Sequence, residues 1–231
     1  MLNFIDISNH QGRAGLTDLS PLLSQIDGVV AKATEGTNFV DAYCDSYVQQ
    51  LIKTGKLWGF YHYAKNGSPA QEAYWFYKNC ANYFGYGIPI LDWEEKQDVN
   101  WVNSFVRQIH DTTGIWPWIY GNPWRFNQGG VEPNCMRWLA AYPNAQHPTF
   151  TQAQTWEPPT ANGVVGAWQF CSDGRLNGWD GNLDCNLFYG NETAWRKYAG
   201  VAHKPEQPEQ PSEPQWKITE SSRGKIVLEK V

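Results

Sequence analysis

The chain of 231 residues lacks the features that mark membrane proteins and nucleic-acid-binding proteins. It has no run of about 18 apolar residues, so we predict no transmembrane helix and no insertion into a membrane. It has no excess of basic residues either, since its formal net charge is −5 and its pI is near 5.5. Because phosphate binding needs a basic surface, nucleic acid is not the expected partner.

The cysteines are few and form no motif. There are five, an odd number, and they are widely spaced with no CxxC: Cys44, Cys80, Cys135, Cys171 and Cys185. This pattern disfavours both a disulfide framework and a zinc site, and we predict buried free thiols. The sequence also shows no Gly-rich phosphate loop and no Ser/His or Cys/His nucleophile set. We expect no metal ion and no cofactor.

The N-terminal segment lacks the features of a secretion signal. Its sequence, "MLNFIDISNHQG", has neither a basic n-region nor an apolar h-region, so we do not expect a Sec signal peptide. The expectation is a monomer that folds in the cytoplasm, and any export would need another route.

Aromatic residues, by contrast, are abundant. The chain has 13 Trp, 12 Tyr and 10 Phe, more than a core of this size requires. Trp and Tyr are rigid and amphipathic, and they pack well on flat apolar partners such as the faces of sugar rings. We expect part of this set to build the core and the remainder to contact a partner of that kind.

Composition changes sharply near residue 203, which divides the chain into three parts. Residues 1–202 carry strand and helix patterns and form the predicted folded domain. Residues 203–215, "HKPEQPEQPSEPQ", alternate Pro with Glu, Gln and Ser and are typical of a semi-stiff extended linker. Residues 216–231 are strand-like but too short to fold alone, so they are either the start of a second module or a tail docked on the first domain.

Short apolar runs within residues 1–202 predict strands. Each is about four to eight residues long, rich in β-branched or aromatic residues, and bounded by Gly, Pro, Asn or Asp. They occupy residues 3–8, 28–33, 57–64, 88–94, 116–121, 137–142, 165–170 and 183–188. Helical spacing lies between the early runs, at 41–55, 68–85 and 99–114. Asp41 and Ser68 are plausible N-caps, and each helical segment closes at a Gly.

The alternation of strands and helices predicts an α/β fold with a parallel sheet that is covered on its outer side. The number of runs fits a small closed barrel. The later connections, 122–136, 143–164 and 171–182, are rich in Pro, Gly and Asn and lack a helical period, so we expect loops between the last three strands. The prediction is a truncated, irregular TIM-like β/α barrel.

Carboxylates lie at the ends of the predicted strands, most densely in "ILDWEE". Asp6 ends the first run, Asp92 and Glu94 end the fourth, and Asp184 lies in the eighth. Side chains two apart on a strand face the same side, so Asp92 and Glu94 point together while Glu95 points away. The first and last strands are neighbours in a closed barrel, and the C-terminal strand ends form its active face. These acids, Glu95 excepted, are expected to converge on one mouth.

Such a cluster of acids suits the hydrolysis of a glycosidic bond. Like charges at close range cannot all stay ionised, so at least one carboxyl group should have a raised pKa. That group can protonate a glycosidic oxygen near neutral pH, while an ionised neighbour stabilises positive charge at the sugar carbon. A surface DxE without a role, or a Mg²⁺ or Ca²⁺ site, are the competing interpretations. The many Trp and Tyr residues favour a sugar.

Motifs at every predicted strand appear in the order found in a known family. They are "FIDISNHQG", "VVAKATEGTNFVD", "GFYHYA", "ILDWEE", "WIYG", "WLAAY", "AWQF" and "LDCN". Over about residues 1–198 the sequence resembles the family 25 glycoside hydrolases, the cellosyl-type muramidases of bacteria and their phages. One such motif would be weak, whereas the ordered set is specific.

The resemblance implies a (β/α)5(β)3 barrel that hydrolyses the β-1,4 bond between N-acetylmuramic acid and N-acetylglucosamine, so peptidoglycan glycan strands are the expected partner. It implies that Glu94 is the proton donor and that Asp92 assists the substrate N-acetyl group or stabilises a charged intermediate. Asp6 and Asp184 would complete the acidic cluster. Neighbouring-group participation and direct attack by water both remain open.

Further residues near the strand ends are candidates for binding the sugar. They are Lys32, Tyr63, Tyr120, Trp138, Tyr142 and Gln169. Core packing is the competing interpretation for most of them, and a structural salt bridge, with Glu35 nearby, is the competing one for Lys32. His62 faces away from Tyr63 and is expected to be a packing residue. For His10 and Gln11, in the loop after the first strand, a positioning role competes with ordinary loop hydrogen bonds.

Other functions and contexts remain open on the sequence. A non-catalytic glycan-binding barrel would keep the aromatic residues but would not need Glu94. An N-acetylglucosaminidase or chitinase-like enzyme would share the acidic strand end but cut a different bond. The resemblance suggests a phage endolysin, which stays in the host cytoplasm until another protein opens the membrane and then acts on the wall. Complete wall-binding repeats, which many relatives carry, are not evident in this sequence.

Overall fold

A computed structural model describes residues 1–65 and 67–200 in full, together with the backbone of residues 216–220 and 226–230. The linker predicted at 203–215 lies outside the described residues. Beyond it, Trp216–Glu220 and Ile226–Lys230 form an antiparallel pair of strands, so the strand-like pattern of the tail is confirmed there.

One sheet of nine strands forms the wall of a barrel. The strands are β1 (Leu2–Ile7), β2 (Gly28–Glu35), β3 (Phe39–Val40), β4 (Leu57–Tyr63), β5 (Ile88–Asp92), β6 (Trp118–Gly121), β7 (Arg137–Ala140), β8 (Val165–Leu176) and β9 (Trp179–Phe188). The sheet closes on itself because β1 pairs with both β2 and β9, while the short β3 pairs with the end of β2. The predicted α/β barrel is confirmed.

The last strand runs against its neighbours, which the sequence prediction of a parallel sheet missed. Apart from the short β3, which is antiparallel to β2, the other strands pair in parallel, whereas β9 is antiparallel to both β8 and β1. The cause is the connection, because the turn between Leu176 and Trp179 is too short for anything but an antiparallel hairpin. Residues 171–182 are mostly strand as a result, and their prediction as a loop is wrong. Their polar composition reflects the outer half of a hairpin that extends past the barrel wall.

Helices connect or follow the barrel strands in the described part of the chain. They are α1 (Asn9–Arg13), α2 (Cys44–Thr54), α3 (Pro69–Cys80), α4 (Val99–Thr113), α5 (Pro123–Asn127), α6 (Phe150–Ala153) and α7 (Glu192–Tyr198). The three longest helices, α2 to α4, correspond to the three helical patterns. Asp98 caps α4 by accepting a hydrogen bond from Trp101 N (2.8 Å). Helices α2 and α4 end at Gly55 and Gly114, which adopt the left-handed conformation that favours glycine.

The predicted cap at Asp41 is wrong, because α2 begins three residues later at Cys44. Asp41 instead uses one carboxylate oxygen to accept from Tyr43 N (2.9 Å) and the other to accept from Asn9 N (2.7 Å). This buried carboxylate therefore ties the start of α1, next to the active face, to the segment before α2.

Ser68 does occupy the N-cap position of α3, but this helix ends at Cys80 rather than at the predicted Gly85. Tyr83 N bonds to Cys80 O (2.8 Å), which turns the chain towards β5. The connections β6–β7 and β7–β8 contain only the short helices α5 and α6, of five and four residues, within the described chain. The expectation of loops here is confirmed except for these two short helices, which the sequence prediction missed.

Aromatic rings close the barrel at the N-terminal end of its parallel strands. Phe4, Trp118 and Phe188 surround Trp195 of α7 at centroid distances of 5.3–5.4 Å in edge-to-face contacts. The Nε1 of Trp195 donates to Trp58 O (3.1 Å), which holds α7 across this end. Packing therefore fills the lower half of the barrel and leaves the opposite end for a site.

The five cysteines are all buried and free, as predicted. Within the described residues, no helix is both long and apolar enough to cross a bilayer.

A buried polar cluster joins β2, β4 and α3. His62 Nδ1 lies 2.8 Å from Thr34 Oγ1, and His62 Nε2 lies 3.0 Å from Glu72 Oε2. Burial lowers the pKa of His62, so the ring is neutral. Burial opposes ionisation of Glu72, but hydrogen bonds from His62 and from the backbone N–H groups of Lys65 and Gly67 (2.8 Å each) outweigh it and lower its pKa. The expected packing role of His62 is confirmed.

We predict that Glu72→Gln lowers the free energy of unfolding by about 2 kcal/mol, because an amide has one acceptor oxygen and leaves a buried N–H group unpaired. Urea unfolding measures the loss. The matched control is Glu192→Gln, which removes an exposed pair with Arg196 (2.6 Å) and should cost less than about 0.5 kcal/mol. Equal losses in the two variants would contradict the assignment.

Candidate active site

A cavity of about 240 Å³ opens at the C-terminal end of the parallel strands. Its lining consists of Asp6, Ser8, His10, Lys32, Tyr61, Tyr63, Ile90, Asp92, Glu94, Tyr120, Trp138, Tyr142, Gln169 and Asp184. Every residue predicted to be catalytic or to bind sugar is in this set. The structure brings these side chains together, and their individual roles stay predictions.

The strand register explains how the acids meet. Asp6 of β1 lies directly opposite Asp184 of β9 in the antiparallel ladder. Because β9 is antiparallel to β1, Asp184 reaches the open end from the middle of its strand, whereas Asp6 and Asp92 reach it from the C-terminal parts of theirs. Asp92 is the last residue of β5, and Glu94 follows two residues later on the same side.

Amide side chains hold Asp6 in place. Its Oδ1 accepts hydrogen bonds from Gln169 Nε2 (2.9 Å) and Asn186 Nδ2 (2.8 Å). The Gln169 Oε1 in turn accepts from the hydroxyls of Tyr120 and Tyr142. These bonds fix both the amide orientation and the carboxylate. Gln169 is therefore a buried positioning group as well as a lining residue.

Burial and mutual repulsion disturb the ionisation of all the clustered acids. Burial raises the pKa of Asp6 and Asp92 well above the ordinary value, and the charges of Asp184 and Glu94, respectively, add to the rise. Burial and the charge of Glu94 raise the pKa of Asp184 to about 6. Burial also raises the pKa of Glu94, against the opposing charge of Arg125. Near neutral pH the cluster therefore retains protons that isolated carboxyl groups would lose.

Asp92 and Glu94 stand in different surroundings. Asp92 is buried, and no group in the described part of the chain forms a hydrogen bond with its Oδ1. Glu94 is exposed at the mouth of the cavity. The segment between them is fixed by Trp93 N, which donates to Tyr120 O (2.9 Å). A buried acid with an unused oxygen thus lies beside an accessible acid.

A chain of ion pairs supports one wall of the cavity from outside. Lys32 Nζ lies 2.6 Å from Glu35 Oε2, so the structural salt bridge considered from the sequence is present, although Lys32 also lines the cavity. Glu35 binds Lys65 through its other oxygen (3.2 Å). Glu95 does not line the cavity, but it accepts from Tyr63 OH (3.3 Å) and from Lys65 Nζ (3.4 Å). The two ammonium groups each lie 4.8 Å from the Tyr63 ring centroid.

The aromatic residues of the lining also pack against one another. Trp138 is 2% exposed, forms an edge contact with Tyr120 at 4.8 Å between centroids, and donates from Nε1 to Asn186 Oδ1 (2.9 Å). Tyr142, by contrast, is 52% exposed at the rim. Packing and lining are thus not alternatives for Trp138 and Tyr120, which do both.

Several neighbours of the acids were not among the residues singled out for the site. Tyr61 and Ser8 line the cavity, and Tyr61 could have been found because it alternates with Tyr63 on the same strand face. Asn186 does not line the cavity. It could have been found from the sequence because it lies two residues after Asp184 in β9, on the same face of the strand. Arg125 had no strand pattern to reveal it, since it lies on the short helix α5.

Metal binding was one interpretation of the acidic cluster. Within residues 1–65 and 67–200, no three His, Cys, Asp or Glu side chains are arranged to ligate a metal ion.

We predict that Asp184→Asn stabilises the fold at pH 8 by about 2 kcal/mol but not at pH 4. The unfolded Asp184 loses its proton near 3.8, whereas the folded one loses it at about 6, so ionisation opposes folding only above the lower value. Thermal unfolding of both proteins from pH 4 to 8 measures the difference. Asp180→Asn, on the exposed outer part of β9, is the control and should change little at either pH.

Known proteins similar to this chain include characterised and uncharacterised ones. The uncharacterized protein YegX of Escherichia coli O157:H7 is 24% identical over 213 residues, which are 87% of this chain and 75% of that protein. The autolytic lysozyme of Clostridium acetobutylicum is 23% identical over 191 residues, 80% of this chain and 55% of the lysozyme. The chain thus spans about half the length of that enzyme.

Solved structures share the fold. The bacterial lysozyme from Streptomyces coelicolor superposes with a TM-score of 0.72 at 22% identity, covering 86% of this chain and 97% of the lysozyme. The catalytic domain of endolysin ply40, from a bacteriophage of Listeria monocytogenes, gives 0.67 at 24% identity, covering 87% and 98%.

The sequence between the first strand and the start of the last one carries the family assignment. Residues 5–179 match the model of the glycosyl hydrolases family 25, and this stretch includes three of the four clustered acids. With most of its length matched and the fold shared, the chain belongs to the glycosyl hydrolases of family 25.

Proposed function

We propose that the protein is a muramidase that hydrolyses the β-1,4 bond between N-acetylmuramic acid and N-acetylglucosamine in peptidoglycan. The observation that carries the proposal is the pairing of an exposed carboxyl group of raised pKa, Glu94, with the buried Asp92, whose Oδ1 has no partner in the described residues. Membership of a family that acts on peptidoglycan supports this substrate class.

Glu94 is the proposed proton donor. It stands exposed at the mouth of the cavity, and partial desolvation with the charge of Glu95 raises its pKa above the ordinary value, which favours the protonated form that a donor needs. Protonation of that oxygen lets the leaving sugar depart as an alcohol while positive charge develops at the anomeric carbon. After departure of the first product, the Glu94 carboxylate accepts a proton from the incoming water.

Asp92 is the proposed partner of the substrate N-acetyl group. Its unpaired Oδ1 is an acceptor in a buried place, where an unsatisfied polar atom costs free energy. The amide N–H of a 2-acetamido sugar would satisfy it and align the acetyl oxygen with the anomeric carbon. Direct attack by water would leave the N–H hydrogen bond as a purely binding contact.

Asp6 and Asp184 are proposed to stabilise the charge that develops during the reaction. They lie in register at the floor of the cavity, and Asp6 is clamped by Gln169 and Asn186. Asp184, whose pKa of about 6 leaves it mostly ionised near neutral pH, supplies the negative charge that favours an oxocarbenium-like transition state over the neutral substrate.

The remaining lining residues are proposed to bind the sugars. Tyr63, Tyr120 and Trp138 offer ring surfaces for the apolar faces of hexosamines, and Tyr142 offers an exposed ring at the rim. Gln169 and Lys32 supply donors. Similarity to the catalytic domain of a phage endolysin supports the further proposal that the protein acts on the wall during phage lysis, after another protein has opened the membrane.

We predict that Glu94→Gln reduces the clearing of a peptidoglycan suspension by at least about 100-fold, because glutamine cannot donate a proton to the leaving oxygen. The melting temperature should stay close to that of the wild type, since Glu94 is exposed. Glu192→Gln, an exposed substitution of the same kind on α7, is the activity control. Equal clearing by wild type and Glu94→Gln would remove the catalytic assignment and favour a glycan-binding barrel.

The bond cleaved is tested separately, because Asp92 would serve any 2-acetamido sugar. We predict that mass spectrometry of reduced digestion fragments finds muramic acid at the new reducing ends. Glucosamine at those ends would contradict the muramidase assignment and support an N-acetylglucosaminidase with the same acid chemistry.

A further inference from the structure

Arg125 contacts the backbone of the proposed acid from outside the cavity. Its Nη2 donates to the carbonyl oxygen of Glu94 at 2.5 Å, and its guanidinium carbon lies 5.2 Å from the Trp93 ring centroid. Arg125 does not line the cavity, so its contacts run to the peptide that carries Glu94. A planar guanidinium suits this combination of a stacked face and a donated hydrogen bond.

The position of Arg125 is itself fixed by the start of α5. Asn122 caps this helix by accepting from Arg125 N (3.2 Å), and Phe126, the next residue, is fully buried against Trp93 at 6.0 Å between ring centroids. Trp93 is anchored independently, since its Nε1 donates to Gln97 O (2.9 Å). Arg125 therefore bridges two rigid parts of the molecule rather than resting on a free loop.

We propose that Arg125 is a positioning residue for Glu94, which fixes where the proton donor stands over the cavity and balances the negative charge around it. The inference rests on the proposed function, because it assumes that Glu94 is the acid. Glu94 lies two residues past the end of β5, so the peptide that carries it has no ladder partner beyond Trp93 to hold it. The Arg125 hydrogen bond supplies that restraint.

The charges around Glu94 show what Arg125 contributes. Negative groups face it from three elements, namely Asp6 of β1, Asp184 of β9, and Asp92 with Glu95 from β5 and its loop. Lys32 of β2 is a positive group at the cavity, and although it is 2.6 Å from Glu35 it also lowers the pKa of Glu94, as a weaker cause than Arg125. Four phenols, Tyr61, Tyr63, Tyr120 and Tyr142, and the His10 side chain of α1 complete the titratable groups of the lining. The positive charge of Arg125 lowers the pKa of Glu94 and opposes the rise caused by burial and by Glu95.

The test compares Arg125→Met, which keeps an aliphatic stem but removes the charge and the donors, with Arg125→Lys, which keeps the charge. The full-length chain is labelled with ¹³C at the glutamate carboxyl groups, and Glu94→Gln identifies the Glu94 signal. We expect Arg125→Met to move the Glu94 titration to higher pH and Arg125→Lys to leave it close to the wild type. Arg196→Met, on the exposed side of α7, is the control and should not move it.

Kinetics on peptidoglycan fragments supply the second readout. We expect Arg125→Met to lower kcat roughly tenfold with KM changed less than about twofold, since a misplaced acid affects the transition state more than binding. The alkaline limb of the kcat/KM profile should shift to higher pH in step with the titration. A residue that only stabilises the fold would lower the melting temperature and leave both pH readouts in place.

The outcomes separate this inference from the proposed function. An unmoved Glu94 titration in Arg125→Met, or a raised KM with unchanged kcat, would overturn the positioning role even if the wild type is fully active. An inactive wild type would overturn the proposed function, and the titration would still decide what Arg125 does to Glu94. If Arg125→Met fails to fold, Arg125→Lys decides: a kcat below that of the wild type with the titration in place supports the role, and an unchanged kcat overturns it.

Discussion

The crowding of carboxyl groups in one half of a narrow barrel is the constraint on which the rest of the structure depends. Asp6 and Asp184 face each other in register, and Asp92 is buried beside them. Burial and repulsion both oppose ionisation there, so the clustered acids lower the stability of the folded state at neutral pH. The compensation lies at the other end, where Trp195 and its aromatic neighbours fill the interior. The division explains why the abundant aromatic residues serve both a core and a cavity wall.

Amide side chains fix the orientation of one of the crowded carboxyl groups. Gln169 and Asn186 each donate to the same oxygen of Asp6, and each amide is held through its own oxygen by an aromatic donor, Tyr120 or Trp138. A carboxylate fixed in this way cannot turn away from its neighbours to relieve repulsion. The two hydrogen bonds favour the ionised form of Asp6 and lower its pKa, so they oppose, without outweighing, the rise caused by burial and by Asp184. Packing, hydrogen bonding and acidity are linked through these few bonds.

Much of the site could be predicted from the sequence because it lies on strands, whose alternation fixes which side chains share a face. Asp92 with Glu94, and Tyr63, were placed by that rule alone. The reversal of β9 could not be predicted from the run of residues 183–188, since a strand pattern carries no direction and the polar hairpin before it reads as a loop. The role of Arg125 could not be predicted for a different reason. Its role depends on a three-dimensional contact with a backbone carbonyl, and no spacing in the sequence encodes such a contact.

The position of Lys32 shows how the cavity keeps its negative character. An ammonium group among carboxylates would ordinarily pair with one of them and lower its pKa. Here the shortest ion pair of Lys32 is with Glu35, outside the cavity, and Glu35 and Glu95 also hold Lys65 behind Tyr63. Lys32, Glu35, Lys65 and Glu95 form a series of ion pairs with alternating sign. Because Lys32 is paired with Glu35, it lowers the pKa of Asp92 only in part. Under the proposed mechanism, a positively charged transition state would be stabilised by acids that Lys32 and Arg125 neutralise only in part.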